Sequence, residues 1–166
     1  MSVFRPGNTH AEFPVAVRTS TGHDPAADPR VWSNVLETVP LFSGLSRRHL
    51  RQVATAGRIV RFHNLTAIVR EGEVGDTLYV VLDGEVLIRR RGARAIRLGI
   101  GGFFGEMALL DGKPRAATVM AEGSVVCLAI TRQRFAKVVR AEPSIAMTML
   151  AELADRLRTA QVAASL

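Results

Sequence analysis

Gly105, Glu106 and Arg115 are the residues whose types and spacing could do chemistry. They lie in Phe103-Phe104-Gly105-Glu106-Met107-Ala108-Leu109-Leu110-Asp111-Gly112-Lys113-Pro114-Arg115-Ala116-Ala117-Thr118-Val119, which reads as a glycine, a one-turn helix, a loop and an arginine entering a strand. Gly105 has no Cβ, so backbone there can approach a ligand closely. The helical turn after it leaves N–H groups without intrahelical acceptors, a donor set that suits a phosphate. Arg115 can add a bidentate, charge-assisted contact to the same anion. Glu106 only accepts hydrogen bonds when ionised, so beside a phosphate it should hold hydroxyls. Anion donors with one carboxylate match a sugar phosphate. The same residues fit a hairpin insert with a solvated Glu106–Arg115 ion pair equally well, and local spacing does not choose.

Such a cluster needs a rigid frame on both sides. Ile59–Phe62, Ala67–Arg70, Thr77–Leu82, Glu85–Arg89, Ala95–Ile100, Ala116–Ala121 and Ser124–Ile130 read as short strands separated by glycine-bearing turns. That spacing predicts an antiparallel sandwich or roll, not a parallel α/β sheet. Ahead of the strands, Val31, Trp32, Val35, Leu36 and Val39 fit an amphipathic helix stopped by Pro40. Ser46 then N-caps a second helix that carries Leu50, Val53 and Ala54 and ends at Gly57. After Ile130, Thr131 caps a helix with Phe135, Val138 and Val139. Pro143 starts a longer one, in which Ile145, Met149, Leu153 and Leu157 recur every four residues. The predicted fold is mainly β with flanking α: a jelly-roll-like antiparallel β-roll with N-terminal helices and a C-terminal helical lid. Residues 1–30, with Pro6, Pro14, Pro25 and Pro29 and no apolar period, are expected to form a flexible leader in which only 13–17 can dock. Residues 31–166 form the domain.

Composition narrows the chemistry. A chain of 166 residues with 48% hydrophobic and 22% charged residues is one globular domain, alone or with an extension. The single cysteine, Cys127, excludes an internal disulfide framework and a multi-cysteine metal site. Inside the apolar run 125–130 it reads as a core hydrophobe, and that run is far shorter than the roughly 20 residues needed to span a bilayer. The first seven residues contain no apolar h-region, so a cytoplasmic protein is expected. Net charge is +7, and all the basic residues except Lys113 and Lys137 are arginine. That charge fits nucleic acid, an acidic partner, an anionic ligand or an Arg-rich composition alike. His10, His23, His49 and His63 are scattered, so no metal site is predicted. Neither a Gly-x-Ser-x-Gly elbow nor a Gly-x-x-x-x-Gly-Lys loop occurs, and no catalytic residue is assigned. Arg89-Arg90-Arg91-Gly92-Ala93-Arg94 with Arg97 reads as the solvated tip of a hairpin in preference to a nucleic-acid or acidic-lipid patch.

Phe104-Gly105-Glu106-Met107-Ala108-Leu109 and Pro114-Arg115-Ala116-Ala117-Thr118-Val119 resemble, in order and spacing, the phosphate-binding cassette of the cyclic-nucleotide-binding domain family. The resemblance extends over roughly residues 35–158. It takes in Pro40-Leu41-Phe42-Ser43-Gly44-Leu45, Arg70-Glu71-Gly72-Glu73 with Gly75-Asp76, Leu78-Tyr79-Val80-Val81 with Gly84, and Phe135. It implies a regulatory module in which Glu106 holds the ribose 2′-hydroxyl and Arg115 the exocyclic phosphate oxygens. Gly105 and the backbone N–H groups of Met107, Ala108, Ala116 and Ala117 would complete the cradle.

Two departures matter. Where the family has Pro-Ala-Gly after a Phe, this chain has Phe62-His63-Asn64-Leu65, with Asn64 expected to take the left-handed conformation. The residue after the arginine is Ala116, where cyclic-GMP-selective members carry Ser or Thr, so the ligand is expected to be cyclic AMP in preference to cyclic GMP. No cofactor is implied. The C-terminal helix would act as a lid touching the base at Arg156, Leu157, Thr159 or Ala160. The partners implied are the nucleotide and a protein effector or a second copy of the chain, without membrane insertion and without nucleic acid. The alternative is a catabolite-activator-like transcription regulator lacking its DNA-reading domain in this chain.

Overall fold

The computed structural model describes residues 28–164. Residues 1–27, which hold nearly all of the expected leader and its docking segment, lie outside them. The Asp28 carboxylate accepts from the Arg30 N–H at 2.9 Å and caps a 3₁₀ turn over Pro29–Trp32. Helix α1 (Ser33–Glu37), a second 3₁₀ turn (Pro40–Phe42) and α2 (Arg47–Ala56) follow. The single helix expected up to Pro40 is thus divided, its first turn wound as 3₁₀. Ser46 Oγ accepts from the His49 N–H at 3.2 Å, and Gly57 ends α2, as the sequence predicts.

Six strands form one antiparallel sheet: β1 (Arg58–Phe62), β2 (Ala67–Val69), β3 (Thr77–Arg89), β4 (Ile96–Leu98), β5 (Phe103–Phe104) and β6 (Thr118–Thr131). The order is β1-β6-β3-β4, with β2 also on β6 and β5 also on β3. Helix α3 (Glu106–Asp111) is inserted between β5 and β6, and α4 (Arg132–Ala141) and α5 (Pro143–Ala164) close the described chain. This is a β-roll with flanking helices.

Two expected turns are absent. Asp83-Gly84 and Glu122-Gly123 lie within continuous strands, because β3 and β6 pair with each other from Thr77↔Thr131 to Arg89↔Thr118. The ladder absorbs the glycines as register shifts around Asp83 instead of breaking into hairpins. Asn64 does not take the left-handed backbone; Leu65 does, at φ 63°. The Asn64 side chain is held by the sheet, its Oδ1 accepting from the Gly123 N–H at 2.8 Å.

Strand alternation explains the apolar run of β6. Val126, Leu128 and Ile130 face the helices, in one core with Leu78, Val80, Leu36, Phe42, Val53, Ile145 and Met149. Val125, Cys127 and Ala129 face the interior of the roll with Phe62, Tyr79, Val81 and Phe104. Both faces are buried, so the strand reads as continuous hydrophobe. Burial pushes the Cys127 thiol up to about 12, which leaves it an inert core residue.

Candidate functional site

A cavity of about 300 Å³ opens where α3 meets the loop before β6. Its lining contains Gly105, Glu106, Met107, Ala108, Arg115, Ala116 and Ala117, the seven residues expected to bind ligand. Gly105, at φ 85°, is the N-cap of α3, and Leu109 N–H donates to its carbonyl at 3.2 Å. The N–H groups of Glu106, Met107 and Ala108 therefore form the open first turn beside the cavity. Ala108 and Leu109 are buried and pin this short helix to the roll, while Met107 is 59% exposed.

Arg115 is the buried cation of the site, only 8% exposed. Its Nη1 donates to Thr77 O at 3.0 Å and Gly105 O at 3.4 Å. Its backbone is locked to the loop before β3: Arg115 N–H donates to Glu73 O, and Gly72 N–H donates to Arg115 O, each at 2.8 Å. Burial lowers the guanidinium's pKa, against the opposing pull of Tyr79, Asp76 and Glu106. It stays protonated at neutral pH and makes no ion pair among the described residues. The solvated Glu106–Arg115 bridge that the sequence left open does not form. A buried guanidinium held by carbonyls alone keeps donor capacity for an anion.

Three parts of the site have roles that the sequence reading did not assign. Gly75 looks like an ordinary turn residue, yet a Cβ there would stand 2.6 Å from both Arg115 Nε and Nη2. Tyr79 stacks on Phe104 with centroids 5.1 Å apart, and burial pushes its hydroxyl up to about 12. Val69, Ile88 and Val119 line the cavity with apolar surface that a flat heterocycle can cover. For Val69 and Ile88 the only signal is strand alternation, which does not reveal what a face encloses.

The expected lid residues lie elsewhere. Ile145 and Met149 are buried in the helix-side core, with Leu153 packed against it, and Leu157 is 60% exposed. None of Arg156, Leu157, Thr159 and Ala160 lines the cavity. Arg156 reaches the site's wall from behind, its Cζ 4.5 Å from the centroid of Phe103, and Phe103 lines the cavity. Helix α3 is joined to α4 by Arg132 Nε, which donates to Leu109 O at 2.8 Å. Among the described residues no group of three metal-ligating side chains occurs, and no helix is long and apolar enough to cross a membrane.

Roll, inserted helix and a cavity with a buried arginine are the architecture of a small-molecule-binding module. A model of the cyclic nucleotide-binding domain matches residues 59–142. The chain is 36% identical over 120 residues to a cyclic nucleotide-gated potassium channel of Rhizobium etli, covering 72% of this chain and 33% of the channel. It is 31% identical over 112 residues to a cAMP-dependent protein kinase regulatory subunit of Mucor circinelloides f. lusitanicus, covering 65% of this chain and 26% of that protein. The crystal structure of Thermus thermophilus catabolite activator protein superposes with a TM-score of 0.68 at 31% identity, over 76% of this chain and 62% of that one. The chain belongs to the cyclic nucleotide-binding domain family, and it spans about a third or less of the length of those two curated relatives.

Proposed function

We propose that this domain is a sensor for cyclic AMP. Arg115 takes the phosphate with the N–H groups of the α3 turn and of Ala116 and Ala117, and Glu106 takes the ribose 2′-hydroxyl. The observation that carries the reading is the buried, carboxylate-free Arg115 in the same cavity as the half-buried Glu106. The kinase regulatory subunit among its relatives supports cyclic AMP as ligand. Ala116, exposed at the cavity, offers no hydroxyl to a guanine amino group. Calorimetric titration with both nucleotides tests this: cyclic AMP should bind more tightly than cyclic GMP. Ala116→Thr should shift the ratio towards cyclic GMP by at most about 1 kcal/mol. Tighter binding of cyclic GMP by the unaltered chain, or an unmoved ratio in the variant, rejects the base assignment.

In this reading α5 passes the signal to a protein effector or to a second copy of the chain. Its rear contact with the site, Arg156 on Phe103, and the Arg132–Leu109 link give the cassette two routes to the C-terminal helices. A ligand shifts such a helix only through unequal affinity for its positions. Hydrogen exchange over 143–164 should therefore slow when cyclic AMP is added. Unchanged exchange there, at saturating ligand, makes α5 scaffold only. The likeness to a catabolite activator favours a second reading, the sensor part of a transcription regulator, which salt-dependent binding of DNA by this chain would support.

A further inference from the structure

Helices α2 and α4 pack side by side, and neither carries a carboxylate. Arg47, Arg48 and Arg51 lie on the first and Arg132, Arg134, Lys137 and Arg140 on the second. The groove between them measures about 520 Å³ and is lined by Gln52, Thr55, Ala56, Lys137, Val138 and Ala141, with Arg134. Both ends are clasped. Arg48 Nη2 and His49 Nε2 reach Glu142 at 3.0 and 3.7 Å, and Arg134 Nη1 donates to Ala56 O at 3.3 Å. Between the clasps, Lys137 makes no ion pair among the described residues. Gln52 Oε1 is buried and has no hydrogen-bond partner among them, an unfavourable state for an acceptor.

We infer that this groove docks an acidic segment of a partner protein. The segment's carboxylates meet Lys137 and Arg134, and its small apolar side chains cover Ala56 and Val138. Arg51, Arg132 and Arg140, which form no ion pair among the described residues, attract it from a distance. Arg47 and Arg48 are paired with Glu37 and Glu142. A nucleic-acid backbone fits less well, because Ala56, Val138 and Ala141 offer its phosphates no donor. A membrane fits less well too, since no large apolar side chain of either helix is exposed. The groove shares no lining residue with the nucleotide cavity.

The test is selection from a displayed random-peptide library against the whole chain, followed by fluorescence anisotropy with the most enriched peptide in synthetic form. The enriched peptides should be rich in Asp and Glu with small apolar residues between them. Replacing their carboxylates by amides should weaken binding about tenfold, as expected for several exposed charge pairs acting together. Lys137→Glu, which reverses the central charge, and Thr55→Trp, which fills the groove without changing charge, should each do the same. Unchanged melting temperatures show that both variants remain folded. Enrichment without an acidic bias, or binding indifferent to both variants, overturns the proposal. So does stronger binding of duplex DNA or phosphatidylserine vesicles that both variants abolish, which would reassign the groove to those polyanions.

Discussion

Arg115→Ala is expected to weaken cyclic AMP binding by at least about 30-fold, measured by calorimetry. The side chain is the buried cation of the cavity, and its position is fixed by Thr77 O, Gly105 O and the backbone bonds to Glu73 and Gly72. A receptor held this rigidly loses little freedom when the anion arrives, so most of the charge-assisted interaction appears as affinity. Truncating one partner of such a pair costs roughly 2–5 kcal/mol. Arg115→Lys keeps the charge but lacks the planar fork and should fall between the two. Glu106→Ala should lose less than Arg115→Ala, since a hydrogen bond from a neutral hydroxyl to a carboxylate contributes about 1.5–3 kcal/mol. The fold should survive Arg115→Ala, because burial already disfavours the charge that is removed. Affinity unchanged in a folded Arg115→Ala protein places the phosphate elsewhere.

The cavity-lining residues were legible because their chemistry is local. Gly105, Glu106 and Arg115 stand close together in one short stretch, where residue type and spacing carry the meaning. Gly75 was not legible in this way. Its place is set by the Arg115 guanidinium lying against its Cα, a tertiary fact with no local signature. The same limit explains the strands. Glycine after an acidic residue is a good turn signal in isolation, but at Gly84 and Gly123 the long β3–β6 ladder overrides it. In α5 the four-residue period is real as far as Leu153, and the identical spacing at Leu157 meets solvent because the helix outruns the core. Periodicity gives the face of a helix, not the extent of what it packs on.

Gly105→Ala should lower both stability and nucleotide affinity, and a second glycine separates the causes. At φ 85° a side chain costs roughly 1–2 kcal/mol through backbone strain alone. Residue 105 also has no room: a Cβ would stand 2.5 Å from Thr77 O and 2.6 Å from Arg115 Nη1. The Thr77 carbonyl belongs to β3 and cannot yield without disturbing its pairing with β6, so overpacking should add roughly 1–3 kcal/mol. A loss of about 2–5 kcal/mol in denaturant unfolding is expected. Gly92, at φ 74° on the hairpin between β3 and β4, has nothing within 4 Å of an added Cβ. Gly92→Ala should therefore show the strain alone and leave nucleotide binding intact. Whatever Gly105→Ala loses beyond Gly92→Ala measures the contact of α3 with β3 and Arg115. Affinity should fall with it, because the displaced guanidinium is the one proposed to receive the phosphate. Equal stability losses in the two variants would mean that the cassette is not held against β3 as tightly as this geometry requires.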